Sequence, residues 1–167
     1  AQDRAKLQSR LLLFGGITNS PFVDNPENAS NPVVGAEIEF FENRERPRHS
    51  LLFQVKYTNG SDDFNYSNTQ LGIGYRFRFI SKPSWSLYTT VMGATYSFSK
   101  IETSIADMVI EEDDSTFDAP VSFGIGTDIR IFDNGFLTLS YDELFAIFVE
   151  NQGNFSTNIT AGIKFSL

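Results

Sequence analysis

The sequence predicts an all-β chain folded as an antiparallel, up-and-down transmembrane β-barrel of about eight strands, and three observations predict it. The last ten residues alternate without error: Ile159, Ala161, Ile163, Phe165 and Leu167 have one parity, and Asn158, Thr160, Gly162, Lys164 and Ser166 have the other. Successive side chains of a strand point to opposite faces, so this segment has one apolar and one polar face. Residues 70–79 repeat the pattern, with Leu71, Ile73, Tyr75, Phe77 and Phe79 set against Gly72, Gly74, Arg76 and Arg78. Such runs of about ten residues are separated by connections that alternate between short and long, which is how membrane barrels are written.

The strands are expected at 8–18, 32–42, 49–58, 69–80, 85–98, 120–132, 136–149 and 157–167. The first is untidy, because Leu11-Leu12-Leu13-Phe14 is apolar on both faces, and so is the fifth. The connections 43–48, 81–84 and 133–135 are short, and the last contains Asn134-Gly135, a hairpin signal because both residues tolerate positive φ. The connections 19–31, 59–68, 100–119 and 150–156 are mostly longer and polar. Short turns belong to the periplasmic side and long loops to the outside, which places both ends of the chain in the periplasm and makes the strand count even. Labelling checks this topology. On intact cells a cysteine-directed reagent should reach Asp113→Cys or Asp62→Cys and spare Pro47→Cys and Asn134→Cys, and the reverse pattern would sink it.

Composition narrows the classes further. The 167 residues fit one domain, residues 1–167, and they hold no cysteine, which removes disulfide scaffolds and thiolate metal sites. No apolar run, those at 11–14 and 144–149 included, is long enough for a membrane-spanning helix, so a membrane reading has to be a barrel. A formal charge of −8 argues against a nucleic-acid partner. The opening Ala1-Gln2-Asp3 matches what a signal peptidase leaves, so export to the bacterial outer membrane is expected.

A soluble ligand-binding barrel also alternates, with its apolar face turned inward, and the glycines help to separate the two. Gly35, Gly72, Gly74, Gly124, Gly126 and Gly162 share the parity of the charged residues. Outside a soluble barrel they would weaken strands for no packing gain, whereas inside a narrow barrel they make room for long neighbours. The polar parity is therefore the lumen. It carries Glu37, Glu39, Asp128 and Asp142 against Lys56, Arg76, Arg78, Arg130 and Lys164. Buried charges persist when paired and hydrogen-bonded, so these nine predict a network that plugs the bore.

Aromatic girdles are expected at both interfaces. Phe41, Phe79, Trp85, Phe136 and Phe165 fall near the short-turn ends, and Tyr57, Phe64, Tyr66, Phe98, Phe117 and Phe155 near the long-loop ends. The seventh strand breaks the pattern. The parity of Leu137, Leu139 and Tyr141 puts Glu143 toward lipid. A β-bulge, a position above the bilayer or a covering partner protein would each resolve the conflict.

Taken together these residues resemble the small eight-stranded outer-membrane barrels related to the OmpA transmembrane domain, OmpX and OmpW, over nearly the whole chain. The resemblance implies contact with outer-membrane lipid and lipopolysaccharide, and biogenesis by the barrel-assembly machinery. The terminal strand looks like the signal that machinery reads, with Ile159, Ala161, Ile163, Phe165 and Leu167 as its outward row. Its Phe-x-Leu ending resembles barrels of Bacteroidetes-type bacteria. An OmpA-like wall-binding domain is not expected.

Catalysis is not expected. Barrel enzymes that modify lipid A need a histidine with a serine or acid partner near the outer leaflet. The one histidine, His49, follows a short turn placed in the periplasm. No cofactor motif is present. The acidic stretch 107–118, with Asp107, Glu111-Glu112-Asp113-Asp114 and Asp118, lacks an EF-hand pattern and reads as a solvated loop, although divalent bridging to lipopolysaccharide is open. Asp114-Ser115-Thr116 is similar to sites of O-glycosylation in Bacteroidetes-type bacteria. The leading expectation is a non-enzymatic outer-membrane barrel with a plugged lumen, structural or part of a larger outer-membrane complex, with Glu143 facing the partner. The alternatives are an OmpW-like narrow pore or path for small hydrophobic molecules, a soluble lipocalin-like barrel, and a lipid A-modifying enzyme.

Overall fold

A computed structural model describes residues 6–19, 30–42, 47–61, 64–105, 108–110, 116–145 and 155–167. Ten strands account for nearly all of these: β1 (Leu7–Asn19), β2 (Ser30–Glu42), β3 (His49–Ser61), β4 (Phe64–Ser81), β5 (Trp85–Ile105), β6 (Met108–Ile110), β7 (Thr116–Asp118), β8 (Val121–Phe132), β9 (Gly135–Phe145) and β10 (Phe155–Ser166). The order β4-β3-β2-β1-β10-β9-β8-β5, with β5 pairing back onto β4, closes eight long antiparallel strands into a barrel. Closure satisfies the backbone between strands and leaves no sheet edge, the condition for strands to cross a bilayer. β6 and β7 pair only with β5, extending it at the long-loop end.

That extension is a correction. The third connection was expected to be the least barrel-like segment, yet β5 runs to Ile105 and carries strand pairing as far as β6 and β7. Its acidic block 111–114, Asp107 and Ser115 lie outside the described residues, as do residues 146–149 of the seventh expected strand.

The barrel is apolar outside and polar inside. Among the described residues, eight hydrophobic side chains are buried, against twenty polar or charged ones, while twenty-three large hydrophobics are exposed. This inversion removes the soluble lipocalin-like alternative, whose core would be apolar. The exposed set includes Leu13, Ile38, Phe53, Ile73, Phe123, Ile125, Leu139 and Ile159, drawn from seven of the eight long strands. The untidy strands resolve by the same parity. Leu12 and Phe14 enter the lumen while Leu13 faces out, and in β5 Tyr88 and Met92 point inward.

Glycines line the lumen where large side chains cross it. A Cβ on Gly126 would stand 2.5 Å from the ring of Tyr88, and one on Gly35 would collide with Phe14. These two positions convert backbone into space for the rings that fill the bore.

The girdle assignment needs revision at two positions. Phe79 is exposed, and Trp85 and Phe165 share the outward parity, but Phe41 is buried and Phe136 shares the inward parity. Those two rings sandwich the Arg10 guanidinium, 4.6 Å and 4.7 Å from its carbon, and so close the short-turn end of the lumen. Position along a strand identified them as terminal, but parity decides which face they occupy. Of the long-loop set Tyr57 is exposed, and the side chains of Phe64, Tyr66, Phe98, Phe117 and Phe155 lie outside the description.

Candidate functional site: the charged lumen

Register brings the charges together. Glu37 and Glu39 come from β2, Arg76 and Arg78 from β4, Asp128 from β8 and Lys164 from β10, each at an inward position. Arg76 Nη1 lies 2.8 Å from Glu37 Oε1 and 3.1 Å from Glu39 Oε2. Arg78 Nη2 pairs with Glu39 Oε1 and stands 3.6 Å from Asp128 Oδ2. Lys164 Nζ reaches Glu39 Oε2 at 3.2 Å and both oxygens of Asp128 at 2.9 Å. Lys164 is wholly buried, and Glu37, Glu39, Arg78 and Asp128 are each 1% exposed.

Neutral side chains add to the shell. Ser50 Oγ donates to Glu39 Oε1 at 2.6 Å and accepts from Arg78 Nη1 at 2.8 Å. Gln54 Nε2 donates to Glu37 at 3.0 Å, Thr138 Oγ1 to Asp128 at 2.8 Å, and Arg76 Nε to Thr90 Oγ1 at 3.1 Å. Charges taken out of water need such hydrogen bonds, because Coulomb attraction alone does not repay their desolvation. Glu37 Oε1 meets Arg76 only as an ion pair, and Arg78 Nε and the Tyr88 hydroxyl have no hydrogen-bond partner among the described residues. Tyr88 sits at the centre, its ring 4.2 Å from the Arg76 guanidinium and 5.3 Å from Lys164 Nζ. Sequence reasoning missed Tyr88, Ser50 and Arg10. The signal for Tyr88 was its parity with Ser86 and Thr90, opposite Leu87 and Val91.

Lys56 and Asp142 lie on the long-loop side of this core. With Glu37, Arg76 and Tyr88 they line a cavity of about 20 Å³, and Asp142 and Glu37 supply the charge that balances Lys56. A second cavity, bordered by Gln70, Met92 and Leu144, measures about 10 Å³. Spaces of this size hold about one water molecule, not a column of them.

Arg130 departs from the expected network. The β8–β9 ladder shifts register between Arg130 and Phe132, which turns the end of β8 toward the hairpin. The Arg130 side chain is 41% exposed, with Nη2 donating to the Asp133 carbonyl at 2.7 Å. It belongs to the mouth, and the bore keeps Arg10 in its place.

Glu143 faces outward, level with Phe123 and Thr157 in an unbroken register, so no bulge relieves it. Its Oε1 accepts from Thr157 Oγ1 at 2.8 Å and from the Tyr141 hydroxyl. The eight residues from Gly135 correspond to about 20 Å of height at a typical strand tilt, near the upper edge of an apolar band about 25 Å tall. The terminal row Ile159, Ala161, Ile163, Phe165 and Leu167 also faces outward, with Phe165 packed 6.1 Å from the ring of Phe132. His49 is exposed at the short-turn end, where its Nδ1 is hydrogen-bonded to the phenol of Tyr75.

No protein-family model and no curated protein matches the sequence. Among solved structures the chain is similar to the N-terminal β-barrel domain of Pseudomonas aeruginosa OprF, at 13% identity over 98% of this chain and 100% of that one, with a TM-score of 0.61. It is also similar to Ail, the attachment invasion locus protein of Yersinia pestis, at 11% identity over 98% and 100%, TM-score 0.62. A third is the outer membrane enzyme PagL, at 8% identity over 95% and 99%, TM-score 0.54. Likeness at these identities establishes the eight-stranded outer-membrane barrel fold, a fold that hosts more than one role.

Proposed function

We propose that this chain is an integral barrel of the bacterial outer membrane with a structural role, alone or as a subunit of a larger envelope complex, and that it is not an enzyme. One observation carries the reading: the bore is crossed by a paired ion network, and the cavity among its charges measures only about 20 Å³. A barrel plugged in this way has no path for solutes, and its interior energy goes into rigidity. His49, the one histidine, is paired with a phenol at the end opposite to the long loops, which supports the non-catalytic reading. Short turns then face the periplasm, the β10 outward row is read by the assembly machinery, and Glu143, held by Tyr141 and Thr157, marks the wall a partner protein covers.

Two measurements test this. Planar-bilayer recordings of the purified barrel should show no stable large conductance; a steady open level would replace the structural reading with a pore. Isolation from the native membrane in mild detergent should return other polypeptides bound to the barrel if it is a subunit, and the 18.8 kDa chain alone in its micelle if it is not.

A further inference from the structure

The outer wall of β2, β3 and β4 holds two grooves in line. At the short-turn end a groove of about 610 Å³ is bordered by Phe40, Glu42, Arg48, His49, Leu51 and Tyr75. Farther up the same wall an apolar groove of about 420 Å³ runs over Ala36, bordered by Ile38, Phe53, Val55, Leu71 and Ile73. The register makes them continuous: Phe40 pairs with Leu51 and Leu51 with Tyr75, and the next outward row is Ile38, Phe53 and Ile73. Ala36 is the small member of the third row, between Leu13 and Val55, and its short side chain opens the upper groove. Phe40 and Phe53 meet edge to face at 5.9 Å along the path.

Charge identifies the occupant. Among the described residues the lower groove is bordered by two basic side chains, Arg48 and His49, and by one acid, Glu42. Beside the lower groove, His49 Nδ1 is tied to Tyr75, which leaves Nε2 for a ligand, and Arg48 brings a guanidinium suited to phosphate oxygens. A guanidinium and an imidazole at the membrane boundary, beside an apolar channel directed toward the bilayer interior, match a molecule that is anionic at one end and a hydrocarbon chain at the other. From Leu51 to Val55 the channel covers about 13 Å of strand, about 10 Å of height at a typical tilt, which is roughly two fifths of an apolar band about 25 Å tall. We infer that this wall binds one anionic glycerophospholipid of the leaflet at the short-turn end, with its phosphate against Arg48 and His49 and one acyl chain in the groove over Ala36. The inference rests on the membrane-inserted reading and is independent of whether the barrel is a complex subunit.

The test uses the whole protein in mild non-ionic detergent, titrated with phosphatidylglycerol and read by native mass spectrometry. A single-lipid adduct should dominate at low lipid concentration. R48Q should lower its population about fivefold, the factor that corresponds to about 1 kcal/mol per basic residue near an anionic lipid surface. A36F, which fills the upper groove, should abolish the adduct, and a heat-dependent gel shift reports whether each variant is still a barrel. R48Q alters an exposed turn residue and decides the matter if A36F does not fold. Inorganic phosphate at the same concentration should neither bind nor displace the lipid. Equal adduct populations in wild type and R48Q, an adduct undiminished in a folded A36F barrel, or displacement by phosphate alone would overturn the proposal. A chain that never enters lipid vesicles defeats the membrane reading itself, whereas one that inserts and retains no preferred lipid defeats only this inference.

Discussion

Replacing Arg76 with glutamine should destabilise the barrel by about 3–5 kcal/mol, because the change strips two buried carboxylates of one shared cation. Arg76 is 3% exposed and touches both Glu37 and Glu39, so neither acid can turn to water once it is gone. Glu37→Gln should cost less. It removes one charge and leaves Arg76 with Glu39. In the double variant, the penalty from Arg76→Gln is partly relieved, because only Glu39 is left short of a partner, and Glu39 keeps Arg78, Lys164 and Ser50. The two changes should therefore fall short of additivity by about 0.5–3 kcal/mol, measured as urea unfolding of the barrel in lipid vesicles. Strict additivity would mean that lumen water screens the pair, and with it the plugged-bore reading would fall.

The strands were legible because each side of a membrane barrel has a different solvent, and the alternation records both. Residues 69–80, for example, were expected as a strand with Arg76 and Arg78 inward, and β4 places both there. Less was legible where one parity has to serve two environments. Phe41 and Phe136 sit at strand ends where a girdle is expected, yet they cover Arg10 inside the mouth. Arg130 shares the inward parity of Asp128 but lies beyond the point where the ladder shifts, a break that no alternation announces. The partners in the ion network were legible only in part. Parity names which side chains enter the bore, but which of them meet depends on how far each strand is staggered against strands two or three places away. That stagger brings Lys164 of β10 to Asp128 of β8 across the intervening β9. Tyr88 escaped notice for a related reason: an aromatic residue in a chain rich in outward aromatics carries no mark of its inward role except its neighbours' parity.

Leu139→Arg should lower the folding free energy in vesicles by about 2–4 kcal/mol, whereas Phe165→Arg should cost no more than about 1 kcal/mol, because the penalty for a lipid-facing cation falls with distance from the midplane. Leu139 is exposed on the outer wall, pairs with Ala161 and Thr127, and lies four residues from Gly135, about 10 Å above the turn and so near the middle of the apolar band. Phe165 pairs with Gly135 itself and stacks near Phe132, at the boundary where an arginine can extend its charge to water. In cells the order should reverse. Phe165 lies in the outward row that we propose the assembly machinery reads, so its replacement should reduce the heat-modifiable barrel in the membrane more than the costlier change at Leu139 does. Comparing the two variants in vesicles without machinery and in living cells separates depth from recognition, since lipid energetics act in both and the machinery in only one. If Phe165→Arg assembles in cells at least as well as Leu139→Arg, the terminal row is lipid-facing surface and nothing more.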